Sequence, residues 1–115
     1  MINELLASPK HPDPEVGMGA SILYHSDRHA ATIVAVDRST RGNVTGVWVQ
    51  RDETTVVSGS PHDGSAKYHY RPNPENPRVL FTLRKNGRYV AKGESARDGT
   101  ALSIGVRSEY WNPSF

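Results

Sequence analysis

From residue 17 onward, apolar and polar positions fall into short runs, and none keeps a helical stripe long enough to mark an α-helix. Residues 20–24, 30–36, 44–51 and 54–57 are rich in β-branched, alanine and aromatic side chains. They are separated by the clusters H-S-D-R, D-R-S-T-R-G-N and R-D-E. Such side chains suit a half-buried pleated surface, while Asp, Asn, Ser and Gly supply the reversals between strands. Residues 67–70 read as a short strand between two polar loops, 58–66 (S-G-S-P-H-D-G-S-A) and 71–77 (R-P-N-P-E-N-P). With 79–92 and 101–107 the pattern predicts six to eight strands in an all-β small barrel or compact β-sandwich.

Residues 1–16 break this pattern. Ile2, Leu5 and Leu6 make a short apolar turn, and S-P-K-H-P-D-P follows, whose prolines remove the amide donors that a helix or central strand needs. The division predicted is an extended N-terminal arm over 1–16 and a single β domain over 17–115.

The strongest local signal is Asn86-Gly87, flanked by V-L-F-T-L-R-K and R-Y-V-A-K. Asn-Gly favours a two-residue type I′ turn, and counting outward pairs Lys85 with Arg88, Arg84 with Tyr89, Leu83 with Val90, Thr82 with Ala91 and Phe81 with Lys92. That register puts Phe81, Leu83 and Val90 on the core face and Arg84 with Tyr89 on the other.

Composition limits the chemistry. The 115 residues include no cysteine, which excludes a disulfide framework, thiolate metal sites and thiol nucleophiles. The chain holds no apolar run of about 18 residues, and Glu4, Lys10 and Asp13 lie among early prolines, unlike a secretory leader. A cytoplasmic protein without a membrane partner is expected. Net charge is +2, unevenly placed: residues 67–115 hold nine bases against four acids, and residues 78–92 hold Arg78, Arg84, Lys85, Arg88 and Lys92 with no acid. This local field points to an anionic partner, against the alternative of a solvated strand surface.

Three constellations carry candidate chemistry. At the hairpin tip, Lys85 opposite Arg88 invites an anion, and Arg84 beside Tyr89 offers a surface for stacking a base or sugar. In Y-H-S-D-R-H, the alternation of His25, Asp27 and His29 has metal-ligand composition, but a reversal at S-D-R breaks it, so no metal site is expected. No G-x-S-x-G elbow, S-x-x-K pair or phosphate-cradling loop occurs, and Gly17-Met18-Gly19 precedes a strand rather than a helix. His62 and His69 read as exposed histidines. In the C-terminal run S-I-G-V-R-S-E-Y-W-N-P-S-F, Arg107 is followed by Tyr110, Trp111 and Phe115, which read as a lid on the barrel, an oligomer interface or one wall of a nucleotide pocket.

Residues 17–36 resemble the opening hairpin of SH3-like barrels of the Tudor or KOW kind, where an aromatic-bearing strand meets a polar turn and then a β-branched strand. More of the chain resembles small uncharacterised proteins of tailed bacteriophages and prophages. The shared residues are Ser26 to His29, Arg51 and Asp52, Leu83 to Val90, and Ile104 to Tyr110 with Ser114 and Phe115. That resemblance brings no activity; a phage origin implies a role such as sequestering a host immune signal or opposing host defence.

The function expected from the sequence is a non-enzymatic binding module without cofactor for a phosphate-bearing ligand, either a nucleotide signal or nucleic acid. Arg84, Lys85 and Arg88 would contact the anion, Tyr89 would stack, and Arg107, Tyr110 and Trp111 would assist. The alternative is a protein-interaction or structural accessory protein that forms homo-oligomers through its aromatic C-terminus.

Overall fold

A computed structural model describes residues 12–24, 26–60, 62 and 65–110 of the chain. Within these residues the chain forms eight strands: β1 (Gly19–Leu23), β2 (Arg28–Arg38), β3 (Val44–Arg51), β4 (Glu53–Ser58), β5 (Lys67–Arg71), β6 (Arg78–Leu83), β7 (Tyr89–Ala91) and β8 (Ala101–Ile104). Six of them close a barrel in the order β1-β2-β3-β6-β7-β8, with β8 returning to pair with β1. All neighbouring strands are antiparallel. The fold is therefore a closed barrel and not a sandwich, and β4 with β5 forms a separate two-stranded ribbon inserted between β3 and β6.

Alternation decides what faces inward. Ile33 lies opposite Val49, Val47 opposite Phe81, Phe81 opposite Ala91, Tyr89 opposite Leu102, and Ala20 opposite Ile104. These residues, with Ile22 and Ala31, make one buried cluster. Small alanines among larger side chains in this cluster suit the narrow interior of a six-stranded barrel. β2 serves both β1 and β3 along its 11 residues, and bulges after Ile33 and Asp37 supply the coiling that this double duty requires. The Gly17 amide donates to the Ile33 carbonyl at 2.8 Å, and residues 1–11 of the expected arm lie outside the described residues.

The expected hairpin register is corrected by one residue. Leu83 pairs with Tyr89, Thr82 with Val90 and Phe81 with Ala91. The reason lies in the turn. Positive φ is confined to Gly87, at 84°, whereas a type I′ turn would need it at Asn86 as well. The Gly87 amide donates to the Arg84 carbonyl and the Arg84 amide to the Arg88 carbonyl, both at 2.9 Å, which makes a three-residue loop with a glycine bulge. Asn86 holds this loop with its side chain, accepting from the Arg88 amide and donating to the Ala96 carbonyl, each at 3.1 Å. One extra loop residue turns each β7 side chain to the opposite face. Tyr89 is thereby inside the barrel, Leu83 sits at the rim with 39% exposure, and Val90 is buried on the outer face with Thr82.

Candidate functional site

The corrected register reassigns the hairpin tip. Arg84 lies on the outer face and Tyr89 on the inner, so the expected stacking pair does not form. Arg84 donates from Nε to Thr82 Oγ1 at 2.7 Å and from its two terminal nitrogens to the Glu94 and Ala91 carbonyls at 2.8 and 3.0 Å. Arg88 donates to the Ala96 and Arg97 carbonyls at 3.1 and 2.7 Å. Both guanidinium groups therefore stitch the 92–100 loop over Val90. Space there is tight, because a Cβ on Gly99 would meet Val90 Cγ1 at 2.6 Å. Of Arg84, Lys85, Arg88 and Tyr89, Lys85 alone is exposed. Burial, together with the negative charge of Asp13, raises the Tyr89 phenol above its ordinary pKa, as expected of a side chain enclosed in the barrel.

After β8 the chain reverses at Gly105 (φ 96°) and runs back along β2 as a strap, residues 105–110. Arg28 and Tyr110 exchange backbone hydrogen bonds, each 2.9 Å. Two enclosed carboxylates fasten the strap. Asp52 accepts from Thr32 Oγ1 at 2.6 Å and from Arg107 Nε at 3.0 Å, and Arg107 also donates to Thr32 Oγ1. Gly19 makes room for this arginine, since a Cβ there would lie 2.6 Å from Arg107 Cγ. Glu109 accepts from the Ala30 amide at 2.9 Å, and its other oxygen lies 2.9 Å from His29 Nδ1 and 3.7 Å from Arg51. Arg51 also approaches the same His29 Nδ1 at 3.0 Å, so the Glu109 carboxylate, the imidazole and the guanidinium form one cluster beneath the strap. The Glu109 and Asp52 side chains have no solvent exposure, and among the described residues no buried side-chain polar atom lacks a partner.

Of the expected C-terminal site, Arg107 is committed to Asp52 and Tyr110 stays 41% exposed, while Trp111 and Phe115 lie outside the described residues. The reversal at 24–27 forms, the Tyr24 amide donating to the Asp27 carbonyl. His25 lies outside the described residues, and among those described no three His, Asp or Glu side chains group as metal ligands.

The β4–β5 ribbon projects from the buried Asp52 at the end of β3. One face pairs Thr54 with Tyr70 and Val56 with Tyr68; the other pairs Thr55 with His69 and Glu53 with Arg71, the last an ion pair at 2.7 Å. The Glu109 amide donates to the Tyr70 hydroxyl at 3.2 Å, which ties the first face to the strap. Burial, and the Glu109 charge after it, raise the Tyr68 phenol. Val56 and Val57 are 43% and 63% exposed. Among the described residues β4 pairs with β5 alone, so its outer edge has no strand beside it.

Sequence reasoning missed Asp52, Glu109 and Arg28. The alternation of Arg107 and Glu109 in R-S-E is the signal for the strap, since in an extended segment it aims both at one neighbour. Arg28 lines an open depression of about 240 Å³ between the barrel wall and the strap, with Ser21, Leu23, Ser103, Val106 and Ser108. Comparison with protein-family models, curated proteins and solved structures gave no match, so the functional reading rests on this geometry.

Proposed function

We propose that the protein is a non-enzymatic assembly module that pairs with a second copy of itself through the outer edge of β4. The observation supporting this is the stretch T-T-V-V at 54–57, an uncharged β-branched edge left open beside a barrel that closes all its own edges. Exposed edge strands are normally blunted by lysine, proline, a bulge or a cover. Here the bulge falls only after Val56, and the sole charged residue of the strand is Glu53 at its start. Antiparallel pairing of two β4 strands about a two-fold axis uses the same surface on both copies and keeps the two Glu53 side chains at opposite ends. It also covers the exposed valines. In this reading the homo-oligomer forms through the ribbon, and Trp111 and Phe115 of the aromatic C-terminus lie outside the described residues.

Sedimentation velocity over a wide concentration range tests the reading. The wild type is expected to shift from monomer toward dimer as concentration rises, and Thr55→Lys, a gatekeeper charge at an exposed position, to remain monomeric with stability within about 0.5 kcal/mol of wild type. A wild type that is monomeric throughout, or a Thr55→Lys variant that still dimerises equally, would overturn it.

A further inference from the structure

The expected phosphate-bearing ligand finds its chemistry away from the hairpin tip. We infer that the depression between the strap and the barrel wall is a phosphomonoester site, with the Arg28 guanidinium and the Ser103 and Ser108 hydroxyls as donors. This inference is independent of assembly through β4.

The floor of the depression is built by register. Ser21 lies directly opposite Ser103 across β1 and β8, and Leu23 lies opposite Arg28 across β1 and β2, so all four project from the outer wall. The strap supplies the other side, Val106 and Ser108. Ser21 is committed, donating to the Val106 carbonyl and holding the strap to the wall. The hydroxyls of Ser103 and Ser108 and the Arg28 guanidinium have no hydrogen-bond partner among the described residues.

Among the described residues Arg28 shares this with Arg41 and Arg78, while the other arginines are engaged. Arg38, Arg51, Arg71, Arg97 and Arg107 each face a carboxylate, and Arg84 and Arg88 are spent on backbone carbonyls. The Arg28 backbone is fixed on both sides, by Leu23 in the β ladder and by the Tyr110 bridge, so its side chain springs from a rigid point. Among the described residues no acidic side chain lines the depression.

A guanidinium fork with two hydroxyl donors matches a tetrahedral oxyanion better than a planar carboxylate, which the fork alone would satisfy. Leu23 and Val106 provide an apolar surface beside the donors, and Val106 is 58% exposed and open to contact. That surface favours a phosphate carrying an organic substituent over orthophosphate. The strap itself is held by the enclosed Asp52 and Glu109 carboxylates, so the walls are set before any ligand arrives.

The test is amide and arginine side-chain NMR of the full chain, titrated separately with phenyl phosphate and inorganic phosphate at about 0.15 M salt, where long-range surface attraction is screened. The expected result is shifts at Arg28 Nε–H and at the Ser103 and Ser108 amides, with phenyl phosphate binding more tightly. Arg28→Gln should weaken binding at least about tenfold and Arg28→Lys should restore only part of it, because the fork is lost, while Lys85→Gln leaves it unchanged. Amide spectra of the free variants establish that each is folded. Equal binding of the two phosphates would overturn the monoester assignment. Absence of shifts, shifts that persist in Arg28→Gln, or shifts centred on Lys85 would overturn the site.

Discussion

Glu109→Ala is expected to lower the unfolding free energy by about 3 kcal/mol, a fall in melting temperature of roughly 10 °C for a domain of this size. The substitution removes the acceptor for the Ala30 amide, the partner of the His29 ring and the counter-charge for Arg51 in one step, and all of this lies beneath the strap. The cost comes less from the lost contacts than from the groups left behind, because a buried donor without an acceptor forfeits its hydration. Glu109→Gln retains a carbonyl oxygen for the Ala30 amide and is expected to cost about half as much. Urea unfolding followed by near-ultraviolet circular dichroism measures both. An alanine variant within about 0.5 kcal/mol of wild type would show that the strap is not fastened in this way.

The double substitution Arg84→Ala with Arg88→Ala is expected to cost about 3 kcal/mol, the range for several charge-assisted hydrogen bonds at partly exposed positions. Four carbonyls, those of Ala91, Glu94, Ala96 and Arg97, lose their donors, and the 92–100 loop loses its hold over Val90. Hydrogen exchange should accelerate at the Gly99 amide, which donates to the Ser95 carbonyl within that loop, well before it does in β1 or β2. Lys85→Ala at the exposed tip should change stability by less than about 0.5 kcal/mol. A double variant as stable as wild type would instead release these arginines for the ligand role expected from the sequence.

That contrast explains what was legible in the chain. Strand positions could be read because β-branched runs such as T-I-V-A-V and A-L-S-I stand out between clusters of turn residues such as D-R-S-T-R-G-N. The hairpin misled because Asn-Gly serves both a type I′ turn and a type I turn with a glycine bulge, and the choice was settled at a distance, where Asn86 reaches the Ala96 carbonyl. A one-residue difference then exchanged the faces of Arg84 and Tyr89 relative to each other. The basic window at 78–92 looked like a field for an anion because charge along a sequence does not reveal backbone carbonyls as partners. Arg28, an unremarkable turn residue by sequence, acquired its interest only when the strap came to lie beside it. The sequence pattern left a small barrel and a sandwich both open, since the choice depends on β8 meeting β1, strands separated by most of the domain.

The open edge of β4 carries the proposed assembly, and hydrogen exchange at dilute and concentrated protein tests it most directly. Amides on the outer edge of β4 should exchange freely in dilute solution and become protected as concentration rises, with β1 unchanged as the internal reference. Protection of β4 that is the same at both concentrations would contradict self-association through that edge.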